Sequence, residues 1–235
     1  MLSEPTEDGF VNSFHDIINQ KGVEIYRPNN PLEQKGRVVA PLFLEAYPDF
    51  ILEDGYRVLA VDVADMGDDK SVILARVGIH VTDIQGYYKQ DTNATTGRVM
   101  DAINEHKPDE IIVDTTGGWG AGVYNNLVLL EIEELCILTQ VKFNQKPRDD
   151  RFNVRNARAE IFMLLQERFR EGRITIPRHK ELIEELSWIK YKPNMATGQF
   201  EIVPKEICKR ENKRSPDHAD ALGLAFYTHP GLEVF

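Results

Sequence analysis

Two short runs constrain this chain more than anything else in it: RVLAVDVA from Arg57 and EIIVD from Glu110. Each is a block of Val, Ile, Leu and Ala that breaks on an aspartate, Asp62 and Asp114. Apolar residues at consecutive rather than alternate positions mark strands covered on both faces, which happens where helices pack on each side of a sheet. A carboxylate inside such a run lacks the ordinary excuse of an exposed strand edge. Asp114 has a second explanation, because Thr115-Thr116-Gly117-Gly118 after it is turn chemistry. The two residues become informative only together, and alongside the carboxylates near the far end of the chain.

The pattern around the two runs is that of an α/β chain. After the Asp62 run, MGDDK makes a turn, and SVILARVG and VTDIQGYYKQ follow as strands joined at Gly78, so that the first three strands form an antiparallel meander. Thr95–His106 has helical spacing and stops at Pro108. After Asp114, AGVYNNLVLLEIEE reads as a helix, ELCILTQVKF as a fifth strand, and FNVRNARAEIFMLLQERFREG as an amphipathic helix closed by Gly172. RITIP is a short strand, KELIEELSWI a helix, and YKPNMATGQFEIVP a hairpin turning at Thr197-Gly198, with a charged loop after it. Ser215 stands as N-cap of a last helix, HADALGLAFYTH, with Pro216 in its first turn. Residues 1–55 are polar and Pro-containing, with a short helix near Phe14–Asn19 and an apolar patch interrupted by Pro41 and Pro48; they read as an arm or linker ahead of a domain spanning 56–235.

The last helix brings two further carboxylates, Asp217 and Asp220, one turn apart on one face. Favourable interaction with the helix dipole would explain either of them alone. If the sheet changes from antiparallel meander to parallel crossover between the first and fourth strands, Asp62 and Asp114 are neighbours at the switch point, where α/β folds bind ligands. The last helix then closes the group. Converging carboxylates repel one another unless a cation neutralises them or some hold protons, and hard oxygen ligands select Mg²⁺ or Mn²⁺. A pair of such ions roughly 3.5 to 4 Å apart suits phosphodiester hydrolysis. Asp65 is placed for a water-mediated contact to such an ion, whereas Asp68 and Asp69 read as turn residues and His218 and Trp119 are left without a role.

The segments LAVDVADMGDDKS, EIIVDTTGGWGAGV and SPDHADALGLAFY, in this order and spacing, resemble the nuclease domain of the phage terminase large subunit. The resemblance covers about Tyr56 to Tyr227. It implies an RNase H-like mixed sheet, an antiparallel three-strand meander plus parallel strands flanked by helices. It also implies a metal-dependent endonuclease that cuts concatemeric double-stranded viral DNA with little sequence preference during packaging. Carried over, Asp62, Asp114 and Asp217 are the catalytic carboxylates, with Asp220 and Asp65 as further metal ligands for one or, as expected, two Mg²⁺ or Mn²⁺ ions. Partners implied are an ATPase domain, a small terminase subunit and a portal, in the cytoplasm of the host cell. The chain carries no phosphate-cradling loop of the form GxxxxGK[ST], which points to an excised domain of a longer protein or a short prophage remnant.

Charge has to be reconciled with that expectation. The chain carries a formal net charge of −10, which argues against binding nucleic acid through its overall field. The sign reverses locally: Lys190, Lys192, Lys205, Lys209, Arg210, Lys213 and Arg214 crowd the hairpin and the stretch before the last helix. Contacts from these to phosphates would position a duplex without reading its sequence. No apolar run approaches the roughly 20 residues of a membrane span, and the N-terminus has no signal-peptide pattern. Cys136 and Cys208 have no metal-ligand spacing and read as reduced thiols. Three other functions remain open at this point: an actin-like or sugar-kinase-like phosphotransferase, a non-catalytic docking module of a packaging motor, and a junction resolvase. The phosphotransferase would need a duplicated half that this chain lacks.

Overall fold

The computed structural model describes residues 55–65, 67 and 69–228, together with the backbone of β1 (Val11–Asn12). The expected helix near Phe14–Asn19, the rest of the arm, and Asp68 lie outside these residues.

The two apolar runs become the centre of a five-stranded sheet. β2 (Arg57–Asp62), β3 (Lys70–Val77) and β4 (His80–Tyr88) form the antiparallel meander; β5 (Glu110–Asp114) adds to β2 in parallel and β6 (Ile137–Val141) to β5, giving the order β4-β3-β2-β5-β6. Every residue of β5 is buried, and so is every residue of β2 after Arg57, as expected of strands covered twice. Alternation sorts them between two cores. Leu59, Val61, Ile111 and Val113 face α1 (Thr92–His106) and α2 (Gly118–Leu129). Val58, Ala60 and Ile112 face α3 (Ala157–Glu171) and the last helix. Asp62 and Asp114 continue this second set, two residues beyond Ala60 and Ile112, so strand geometry points both at the same face. The parallel pairing Val61↔Val113 sets them side by side at the C-terminal ends of neighbouring strands.

Local chemistry fixes the helices. Asp91 caps α1 by accepting from the N–H of Ala94, and Asn156 caps α3 in the same way through Ala159. Gly172, at φ 70°, closes α3 in the left-handed conformation that glycine adopts without strain. α3 starts later than its apolar pattern suggests, because Asn156 takes the N-cap and Asp150–Phe152 form a 3-10 turn ahead of it. α2 ends at Leu129, and the rest of the expected helix is a separate 3-10 turn, Ile132–Glu134. RITIP does not form a strand. Its Thr175 makes an isolated bridge to His80, and Pro177 has no N–H with which to extend a ladder.

α4 (Lys180–Trp188) leads into the hairpin β7 (Lys190–Pro193) and β8 (Phe200–Ile202), which with β1 forms a second sheet of order β1-β7-β8. The turn between β7 and β8 is held by Asn194, whose Oδ1 accepts from the N–H groups of Ala196 and Thr197, and by Gly198 at φ 70°. The charged stretch after it, expected as a loop, is a helix, α5 (Lys205–Asn212), anchored by buried Cys208. α6 (Asp217–Ala225) then crosses β2 and β3 and is buried along its whole length. Close approach is built in where Gly223 meets Ile161 of α3: a Cβ there would lie 2.4 Å from Ile161 Cγ2. Among the described residues no helix is long and apolar enough to cross a membrane.

Candidate metal centre

Asp62, Asp114, Asp217 and Asp220 come together at the end of the sheet, all of them buried. Asp62 and Asp114 arrive on β2 and β5; Asp217 and Asp220 arrive one helical turn apart on α6. The close fit of α2 against the end of β5 depends on Gly120, where a Cβ would lie 1.9 Å from the carbonyl oxygen of Asp114. Glycine is required there so that the first turn of α2 can lie over the strand end.

The oxygens of the group are divided between two tasks. Asp114 Oδ1 accepts from the backbone N–H and the hydroxyl of Thr116. Asp217 Oδ2 accepts from the N–H of Lys70 at 2.9 Å. Asp220 Oδ1 accepts from Arg158 Nε at 3.0 Å, and the same guanidinium donates to the carbonyl of Val203. The remaining oxygens turn inward. Asp62 Oδ2, Asp217 Oδ1 and Asp220 Oδ2 converge on one point, and there the ammonium of Lys205 sits, 3.1, 3.3 and 3.2 Å from them. Asp220 Oδ2 is buried and, its ion pair with Lys205 aside, accepts no hydrogen bond. Anchoring one oxygen and offering the other is the arrangement of a carboxylate that serves as a cation ligand.

The Lys205 ammonium and the Arg158 guanidinium together do not neutralise four carboxylates. Burial holds the Asp62 carboxyl well above the usual range, with Asp114, Asp217 and Asp220 adding to the rise and Lys205 opposing it. Asp114 is also raised, by burial and by Asp220, against the hydrogen bonds from Thr116. Asp217 is raised by burial and by Asp220 and Asp69, against Lys205 and the N–H of Lys70. For Lys205, burial works to lower the ammonium, yet the four surrounding carboxylates outweigh it and hold it well above the ordinary lysine value. The cluster therefore attracts any further positive charge. All its free donors are hard oxygens, a set that fits Mg²⁺ or Mn²⁺ rather than Zn²⁺.

The structure sorts the other expected site residues. Asp65 is exposed at the end of β2. Lys205, expected on a surface facing DNA, is inside the acid cluster. Arg214 lies against α4, paired with Glu181 and Glu184 and stacked 4.9 Å over Trp188. Lys209 pairs with Asp69, and Lys190 approaches Glu211 at 3.7 Å. Lys192 is half-buried on the hairpin, while Arg210 and Lys213 are exposed, just before the acidic helix in chain order. His218 points away from the cluster: its Nδ1 donates to Glu185 and its Nε2 lies 3.5 Å from Glu181. Trp119 is half-buried in the first turn of α2. Cys136 and Cys208 are free, and burial pushes both thiols up to about 11, so neither is a poised nucleophile.

Two groups of residues escape a reading of the sequence. Arg158 stands in the apolar stretch of α3, and a guanidinium among core residues is the signal that it has a buried partner. The second is the layer behind Asp217, where His179, Glu181 and His218 lie within ligand distance of one another. Glu181 is taken by Lys70, at 2.7 Å from both oxygens, and by Arg214; His179 Nδ1 accepts the N–H of Leu182, which leaves the proton on its other nitrogen. These residues form a polar support behind the acids rather than a ligand set.

No protein-family model matches the chain, and no curated protein sequence matches it. Solved structures do. The nuclease domain of the large terminase subunit gp2 of bacterial virus Sf6 superposes with a TM-score of 0.68 at 22% identity, over 75% of this chain and 90% of that one. A point mutant of that domain with manganese gives 0.67 at 20% identity, over 88% and 99%. The large terminase nuclease of thermophilic phage G20c with bound magnesium gives 0.54 at 14% identity, over 84% and 95%. At these identities the likeness establishes the fold alone: this chain has the mixed, helix-flanked sheet of those terminase nuclease domains.

Proposed function

We propose that this chain is a divalent-metal endonuclease that cuts double-stranded viral DNA with little sequence preference during genome packaging. The observation that carries the proposal is the convergence of Asp62 Oδ2, Asp217 Oδ1 and Asp220 Oδ2 on a single cation position, in a fold shared with terminase nuclease domains. Asp62, Asp114, Asp217 and Asp220 would hold Mg²⁺ or Mn²⁺, as a pair of ions if Asp114 Oδ2 joins a second set; Asp65, exposed nearby, would act through water. When bound, the metal supplies a more acidic water and a counter-charge for the phosphodiester in its transition state. The chain's own part is to hold the ligands. Lys70, Thr116 and Arg158 fix one oxygen of Asp217, Asp114 and Asp220, so the others need no reorganisation when a cation arrives. Lys205 keeps the metal-free cluster from repelling itself and has to withdraw for an ion to take its place.

The duplex would lie across Lys190, Lys192, Lys209, Arg210, Lys213 and Arg214, whose charges contact phosphates and not bases, in accord with indifferent cutting. Those pairs that Lys209 and Arg214 make with acids within the chain would exchange for phosphate. Double-stranded DNA is the one partner that chemistry on this chain supports directly; an ATPase domain, a small terminase subunit and a portal are the assembly in which such a nuclease would work.

The test is cleavage of supercoiled plasmid by the purified protein with Mn²⁺, Mg²⁺ or EDTA, beside Asp62→Ala. Cutting that needs the metal, shows no fixed site and drops by at least about a hundredfold in the variant supports the proposal. Absence of cutting with every metal would leave a docking module instead, and a preference for branched over linear substrates would favour a resolvase.

A further inference from the structure

The first four N–H groups of a helix lack partners within it, and a side chain at the N-cap normally takes one of them. Ser215 is the residue that sequence offers to α6. The N-cap position is instead occupied by Pro216, and no side chain there caps the helix. The bonds come from another helix. Glu185 of α4, 1% exposed, accepts through Oε2 from the backbone N–H of His218 at 2.7 Å and of Ala219 at 3.1 Å, and through Oε1 from His218 Nδ1 at 2.8 Å.

A further carboxylate is thus brought to the N-terminal end of a helix that already carries two, Asp217 and Asp220, with Arg214 3.7 Å from it. The three hydrogen bonds account for its presence. They grip the residue after Asp217 by both backbone and side chain, and the next residue by its backbone, which ties the first turn of α6 to α4. Asp217 Oδ1 and Asp220 Oδ2 hang from that turn.

We propose that Glu185 is a positioning residue: it clamps the first turn of α6 so that the inward oxygens of Asp217 and Asp220 meet those of the strands, and thereby sets the affinity of the site for a divalent ion. This rests on the metal-centre function proposed above. A cap that only stabilised the helix would change melting but not metal binding, and the two roles separate on that difference.

The experiment is calorimetric titration of the full chain with Mn²⁺, with melting curves in EDTA, for wild type, Glu185→Ala, Glu185→Gln and Glu185→Asp. Outer-layer partners of metal ligands typically contribute about 10- to 100-fold in affinity, so Glu185→Ala raises the Mn²⁺ Kd by that factor. Gln keeps an oxygen at the same reach for the two backbone N–H groups and stays within about threefold of wild type. Asp keeps the charge but draws the oxygens back, and binds Mn²⁺ more weakly than Gln. This order, Gln tighter than Asp, is available even if Glu185→Ala does not fold. The reverse order, or a folded Glu185→Ala that binds as wild type does, overturns the clamp while leaving the metal centre standing. Wild-type protein that takes up no Mn²⁺ overturns the metal centre and the clamp with it.

Discussion

Asp62 lies in an apolar strand with its carboxyl raised far above 3.8, its ordinary value, by burial and by three neighbouring acids. A group whose pKa is higher in the folded protein than in the unfolded chain contributes stability that is fully present below the unfolded value and is lost as pH climbs through the folded one. Without metal, Asp62 thus lowers stability at neutral pH. Asp62→Asn removes the ionisation and should melt above wild type in EDTA, with a gap that is near zero at about pH 4 and widens towards pH 8. A gap of constant size would mean that the substitution acts by something other than charge. Asp62 and Asp114 were legible because a carboxylate in a doubly covered strand has so few ordinary explanations. Arg158, Glu185 and the inward turn of Lys205 were not, since each depends on a partner that only folding brings near. Arg158 and Asp220 are one such pair; Lys205 and Asp62 are another.

At the scale of elements, periodicity located the strands of the main sheet; the helix expected over Thr95–His106 starts three residues earlier, at Thr92, where Asp91 caps it. Periodicity misjudged α5. Lys205-Glu206-Ile207-Cys208-Lys209-Arg210 has too little apolar content to announce a helix, yet Cys208 and Val203 pack together under Trp188 and hold it. Nor could pattern reveal that α2 is pressed against the carbonyl of Asp114, a contact that permits only glycine at position 120. Gly120→Ala should therefore shift either the helix or the strand end. Overpacking against backbone costs about 3 kcal/mol, and because Asp114 moves with the strand end, Mn²⁺-dependent cutting should fall more steeply than the folded fraction. Denaturant unfolding alongside initial cleavage rates checks this; equal losses in both would confine the effect to stability.

The molecule as a whole is acidic, so the approach to DNA proposed above has to depend on the basic stretch after the hairpin. Arg210 and Lys213 are exposed there and, unlike Lys205, stand clear of the acid cluster. Replacing both with Gln should weaken duplex binding for every sequence alike and flatten the dependence of log K on log salt by about 0.9 for each phosphate that is no longer neutralised, a slope of about 1.8 for the two. Binding isotherms over a range of salt concentrations measure that slope, and an unchanged slope would place the DNA elsewhere. The expected fold class was legible at this scale in full, since alternation of strand and helix with two aspartates at a switch point leaves few topologies.

The bond from Lys70 N–H to Asp217 Oδ2 spans 147 residues of chain. Acids from an early strand and a late helix have to meet before any ion finds its full set of ligands, and the ribosome makes them in that order. Between Val141 and Asp217 the growing polypeptide carries the whole sheet, and with it Asp62 and Asp114, but lacks α6. If the chain is the nuclease proposed above, it is inert until α6, its last described helix, has been made and docked. For such a nuclease, the order of the ligands along the chain puts a delay between translation and cutting.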